Sequence, residues 1–292
     1  MILFFNQVQW ESDIKLLKHK INSRIFTEKD VPLLMSVLYK QHLIEKPEDN
    51  KLLNELIGLL PNIAYTIAKF YNIDANKVFV GDYINDEDCP YELVIGNIYG
   101  APNKKYSSYY SYTKSTIINP YAHTIKSADN LKVLIGNFYC PNNKIITRLP
   151  NLELVTGSMI CDDSFLANIP NLKIVGGDAF FRNTPIRNFN ATFVGGYLDC
   201  KYSRLAKADN LQYIGRGANI NYCTEFMDED KIKLAKQNIV KIEKEPTPVE
   251  EKTDILTSIN KNIDSSKAEN QKTIKDTIKN KLSKIKEKLL NE

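Results

Sequence analysis

Five cysteines and three histidines are the residues through which this 292-residue chain could hold a metal, form disulfides or attack a carbonyl. A metal site needs its ligands at clustered spacings. His19, His42 and His123 are scattered, with no Cys or carboxylate set beside them, so surface or packing positions are expected for all three. Cys140, Cys161 and Cys200 recur at intervals of 21 and 39 residues. They read as small apolar members of one inward-facing column, because free Cys packs readily in cores. A reducing cytosol is then the default compartment. The sequence contains no Gly-x-Gly-x-x-Gly, Gly-x4-Gly-Lys-Ser/Thr, His-Glu-x-x-His or Cys-x-x-Cys. Asp162-Asp163 and Asp228-Glu-Asp230 lack the ligand spacing of a calcium loop. This reading expects no catalytic residue, no metal and no cofactor, and turns the search toward binding.

The cysteines point to what positions them. Leu134-Ile-Gly-Asn-Phe-Tyr-Cys140, Val155-Thr-Gly-Ser-Met-Ile-Cys161, Val175-Gly-Gly-Asp-Ala-Phe-Phe181, Val194-Gly-Gly-Tyr-Leu-Asp-Cys200 and Ile214-Gly-Arg-Gly-Ala-Asn-Ile220 start 21, 20, 19 and 20 residues apart. A shared turn precedes four of them, at Asp129-Asn-Leu131, Pro150-Asn-Leu152, Pro170-Asn-Leu172 and Asp209-Asn-Leu211. An apolar residue follows at Ile145, Leu166, Ile186 and Leu205, with Phe226 one place late. A fixed period near 20 is the mark of stacked repeats. The fifth and seventh places alternate as in a strand, so their side chains share one inward face. Gly at the second or third place suits a tight bend at the strand's entrance. Asn143, Ser164, Thr184, Ser203 and Cys223 fall where a small polar side chain can bond the backbone of the next turn.

These features resemble the leucine-rich repeat family, most closely at Val175-x3-Ala179-x-Phe181-x2-Thr184-x-Ile186, with one extra residue before the strand and Val at its first apolar place. The resemblance implies parallel strands stacked into a curved solenoid, with binding on the outward strand residues, and implies no chemistry. One outward column is Tyr99, Tyr139, Ile160, Phe180, Asp199 and Asn219, and beside it run Asn97, Asn137, Ser158, Asp178, Tyr197 and Gly217. Four successive large apolar or aromatic members of the first column suggest an anchor strip for a protein partner, unless part of the same chain lies across it.

Around the repeats, residues 1–76 read as a helical cap for the exposed end of the first unit. Ile14, Leu17, Ile21 and Ile25, then Val31, Leu34 and Leu38, keep helical spacing. Thr27 can cap the second helix, Pro47 opens a third, and Pro61 a fourth with Ile63, Ile67 and Phe70 on one side. The repeat region spans 77–226. Val94-Ile-Gly-Asn-Ile-Tyr-Gly100 matches 134–140 two periods on, so a further unit is expected near Ile118, with Ile125 in the later apolar column. The Tyr-, Ser- and Lys-rich stretch 104–114 reads as a polar loop or exposed strand rather than a nucleic-acid surface. A capping helix is expected at 227–243, then a linker and a basic amphipathic helix within 244–292. Its narrow seam of Ile278, Leu282, Ile285 and Leu289, spaced 4-3-4, fits a partner helix or self-assembly.

The fold class expected is therefore α+β: a helical cap, a leucine-rich-repeat-like parallel β-solenoid and a helical tail. A net charge of +4 is too small to imply nucleic acid. The opening Met-Ile-Leu-Phe-Phe lacks the basic leader and long apolar core of a signal peptide, and no run approaches a membrane span. The function expected is non-catalytic protein–protein interaction or scaffolding in the cytoplasm. Two alternatives stand beside it: a structural component of a viral or phage virion, and an enzyme whose helical N-terminal part is catalytic while the repeats select substrate.

Overall fold

The structure is a computed structural model, and it describes residues 5–44, 47–100, 105–107, 116–118 and 124–223. The chain divides into two compact units, Met1–Glu243 and Lys244–Glu292, and every described residue lies in the first. The expected capping helix at 227–243, the linker and the 278–289 seam fall outside the described residues, as do Phe226 and His123.

The described part is α+β, with two parallel sheets built from the repeats. Each unit supplies two short strands rather than the single one expected. Val78–Val80, Leu93–Ile95, Val133–Ile135, Leu154–Val155, Ile174–Val175, Phe193–Val194 and Tyr213–Ile214 form the first sheet, in chain order. Ile98–Tyr99, Phe138–Tyr139, Met159–Ile160, Ala179–Phe180, Tyr197–Asp199 and Gly217–Asn219 form the second. The register keeps the period: Val155 pairs with Val175 and Val175 with Val194, while Phe138 pairs with Met159 and Met159 with Ala179.

The glycines form the bend between the two strands of a unit, where successive units approach most closely. A Cβ on Gly136 would lie 2.1 Å from the Gly96 carbonyl oxygen, and one on Gly96 would lie 2.1 Å from that of Gly81. Both also hold positive φ, +154° and +145°, which L side chains rarely adopt. Between the sheets runs one core in which Val155, Met159, Cys161, Leu166, Ile169 and Leu172 each meet their counterparts in the neighbouring units. In the unit that starts at Leu134 the inward residue is Ile146, while Ile145 is 50% exposed. That unit is one residue longer, and Asn143 Oδ1 takes up the extra turn by accepting from both Ile145 N and Ile146 N. A turn missed in the sequence is Phe189-Asn190-Ala191. Asn190 Nδ2 donates to the Pro170 carbonyl 2.9 Å away, continuing the bonds of Asn171 to Pro150 and Asn151 to Asp129.

Two expectations need correction. No unit lies near Ile118. Leu93–Ile95 pairs directly with Val133–Ile135, and Thr116–Ile118 pairs antiparallel with Lys105–Ser107. The 40-residue spacing is therefore one unit carrying a hairpin excursion, not two units. Ile125 re-enters the core, and Asn143 Nδ2 closes the loop by donating to the carbonyls of Gly100 and Ile125.

The helices also do not cover the end of the first unit. Phe79, Tyr83 and Tyr91 occupy that end, with centroids 5.0 to 6.0 Å apart. The helices α1 (Gln7–Asn22), α2 (Val31–Tyr39), α3 (Lys51–Leu59) and α4 (Ala64–Phe70) lie instead against the outer side of the first sheet. Leu93, Ile95, Val133, Ile135 and Leu154 share a buried cluster with Leu17, Leu38, Leu56 and Ile67. A parallel sheet covered on both faces explains the unbroken apolar runs Leu93-Val-Ile95 and Val133-Leu-Ile135. The caps are conventional: Asn6 accepts from Gln9 N, Asn50 from Leu53 N, and Thr27 with Asp30 forms a capping box. Ile25, placed on an apolar face by spacing, is 55% exposed because α1 ends at Asn22 and Arg24 turns the chain at φ 58°, and Phe70, the last residue of α4, is 41% exposed.

Candidate binding surfaces

The anchor strip keeps the register expected of it. Tyr99 pairs with Tyr139, Tyr139 with Ile160, Ile160 with Phe180, Phe180 with Asp199 and Asp199 with Asn219, all on the side of the second sheet away from the core. The rings of Tyr99 and Tyr139 stack at 5.3 Å, and Tyr139 and Tyr197 pack on Ile160 and Phe180. Yet Ile160, Phe180 and Asp199 are only 2%, 4% and 2% exposed. Alternation fixes which way a side chain points but says nothing of what lies over it, so the middle of this strip is not an open face. Burial also pushes the Asp199 carboxyl up to about 7, with the Asp162 charge adding to the rise, although Lys201 N donates to its Oδ1 at 2.9 Å.

The neighbouring column turns out to be scaffold. Asp82 Oδ1 accepts from both nitrogens of Asn97, and Asn97 Oδ1 accepts from both nitrogens of Asn137. Asn137 Oδ1 accepts from Ser158 N at 2.7 Å, Ser158 Oγ from Asp178 N at 3.0 Å, and Asp178 Oδ1 from Tyr197 N at 2.7 Å. Each side chain thus satisfies the backbone of the next unit at the bend. Arg216 Nη2 donates to Asp178 Oδ1 at 3.0 Å, and Gly217, which has no side chain, ends the series. Asn137, Ser158 and Asp178 are expected as ligand contacts because polar residues on an outward face look free in sequence, and Asn97 lies in the same column. Here they hold the stack together, while Asn97 and Asn137 also line a cleft beside the helices.

The helices and the glycine bend enclose a half-open cleft of about 530 Å³ that sequence reasoning did not find. One wall comes from Leu53, Asn54 and Ile57 of α3 with Leu38, Gln41 and His42 beside it. The other comes from four successive units, at residues 80–82, 95–97, 135–137 and 156–157. Ile57 and Val80 stand 40% and 44% exposed at its mouth, and Glu48 and Asp82 bring carboxylates to its rim. Among the described lining residues there is no lysine, arginine or cysteine, and the one hydroxyl, on Thr156, is buried. Burial pulls the His42 imidazole down to about 4, so it is neutral near pH 7, able both to donate and to accept. An apolar trough with a few polar groups and an acidic rim is suited to holding a ligand by shape and charge.

The five thiols are free and buried. Cys140 and Cys161 sit on adjacent units with Sγ atoms 3.2 Å apart, and burial raises the Cys161 thiol well above its ordinary value, so it is protonated and unreactive. Among the described residues no group of three or more His, Cys, Asp or Glu could hold a metal ion, and no helix is long and apolar enough to cross a membrane. Comparison with known proteins found no matching family model, no matching curated protein and no matching solved structure.

Proposed function

We propose that this chain is a non-catalytic protein-binding module: a leucine-rich-repeat-like solenoid with helices laid along its flank, which binds its partner in the cleft between them. The solenoid reading is supported by in-register parallel pairing at intervals near 20 residues and by the glycine and Asn/Ser/Asp series at the bend. The observation that carries the binding reading is the cleft itself. It is apolar, concave and rimmed by polar groups, and it leaves Ile57 and Val80 exposed together at its mouth. Large side chains grouped at a concave surface mark interaction sites more than singly scattered ones do. The outward strip of the second sheet contributes Tyr99, Tyr139 and Tyr197 at its margins, while its centre is buried.

Site-specific photo-crosslinking in the native source tests this. A benzoylphenylalanine at position 57 should trap a defined protein partner, whereas one at position 145, exposed but outside the cleft, should not. Partners trapped at position 139 and never at position 57 would contradict the placement.

A further inference from the structure

We propose that the cleft takes an amphipathic helix of a partner protein, with a three-residue apolar seam flanked by lysines. This rests on the binding-module reading and adds the chemistry of the partner.

The length of the cleft comes first. Four successive paired strands bound it, three steps of about 4.8 Å, so it runs for about 14 Å. Apolar anchors at i, i+4 and i+7 of a helix span about 10 Å, which fits inside that length. An extended segment would fit only about four residues there and would need backbone partners. The bend offers few. Gly81 N, Gly96 N and Gly157 N already donate to carbonyls of the next or preceding unit. Asn97 and Asn137 are engaged with one another. What the cleft leaves open to a ligand is the apolar surface of Ile57, Pro61 and Val80, its leucines and its Ile95 and Ile135 being buried, and apolar side chains rather than a bare backbone satisfy it.

Charge comes second. The described lining carries Glu48 and Asp82 and no lysine or arginine, and Arg216, near enough to act on His42, is held by the Asp178 carboxylate. Glu48 is exposed at the rim, where its side chain would meet a flanking cation. His42 adds no positive charge near neutral pH. A lysine-bearing helix therefore gains attraction at the rim and desolvates only its apolar seam, whereas an acidic helix meets like charge.

The test uses the full chain and a fluorescein-labelled synthetic peptide of about 15 residues, with Leu at three positions spaced 4 and 3 and Lys on either side. Its counterparts carry Glu for Lys, or a central Pro that blocks the helix. Fluorescence anisotropy should show micromolar binding of the Lys peptide and at least tenfold weaker binding of the other two. Ile57→Glu should weaken the Lys peptide by about thirtyfold or more, and Glu48→Lys by about tenfold. Both side chains are exposed, so melting temperatures should hold; Glu48→Gln provides a milder second variant, expected to weaken binding less than Glu48→Lys. Equal binding of the Lys and Glu peptides overturns the proposal, as does equal or tighter binding of the Pro peptide or full binding by Ile57→Glu. A partner trapped at position 57 with no affinity for the Lys peptide would sink the helix and spare the module. No trapped partner and no peptide binding would sink both.

Discussion

Two glycines of the same chain should respond to alanine in opposite directions. Gly136 sits at the bend with φ +154°, where a Cβ would meet the Gly96 carbonyl at 2.1 Å, and that neighbour is backbone held in a ladder. Gly136→Ala should therefore cost about 2 kcal/mol or more in denaturant unfolding. Gly58 lies inside α3, where an added Cβ would meet nothing within 4 Å. Gly58→Ala should stabilise by about 0.5–1 kcal/mol. Asp199 gives a pH signature. Its folded pKa, about 7, stands above the unfolded value of 3.8, so the native state holds its proton longer, and stability falls as pH rises from about 4 through 7. Asp199→Asn keeps the acceptor for Lys201 N and removes the charge. It should be neutral at pH 4 and stabilising at pH 8, by a few kcal/mol at most. Equal effects at both pH values would mean that the carboxyl is not held protonated.

The bend series is the element that ties unit to unit. Asn137→Ala leaves Ser158 N without its acceptor in a partly buried place and should cost about 1–3 kcal/mol. Asn151→Ala removes an exposed bond to the Asp129 carbonyl and should cost less than about 1 kcal/mol. The helical layer has its own test. Tyr39 of α2 meets Phe193 of the first sheet edge-on at 5.0 Å. A double-mutant cycle to Leu at both should give a coupling of about 0.5–1.5 kcal/mol; zero coupling would mean that α2 does not lie there. Repetition made the inward columns legible, because Val194, Leu198 and Cys200 recur with their type. The first strand of each unit was hidden, because two residues, as in Ile174-Val175, are too short to show alternation. The polar bend residues were legible in position but not in role, since a hydrogen bond to the next unit leaves no mark in the sequence.

At the scale of the molecule, parallel units are held by glycine and amide at one bend and by Asn turns at another, with helices closing the flank of the first sheet. The apolar runs at 93–95 and 133–135 announce a covered sheet, but which element covers it depends on contacts with helices more than 20 residues distant in the chain. That is why the cleft, built from α3 on one side and four bends on the other, was invisible in sequence while the outward strip looked available. The functional claim is that the cleft, not the strip, meets the partner. Ile57→Asp and Tyr139→Ser, compared for melting temperature and for association with the partner trapped at position 57, decide it most directly. Ile57→Asp should abolish association at an unchanged melting temperature, and Tyr139→Ser, which unstacks Tyr99 and uncovers Ile160, should lower the melting temperature and leave association intact below it. Normal association by Ile57→Asp, with Tyr139→Ser losing the partner at an unchanged melting temperature, would contradict the account.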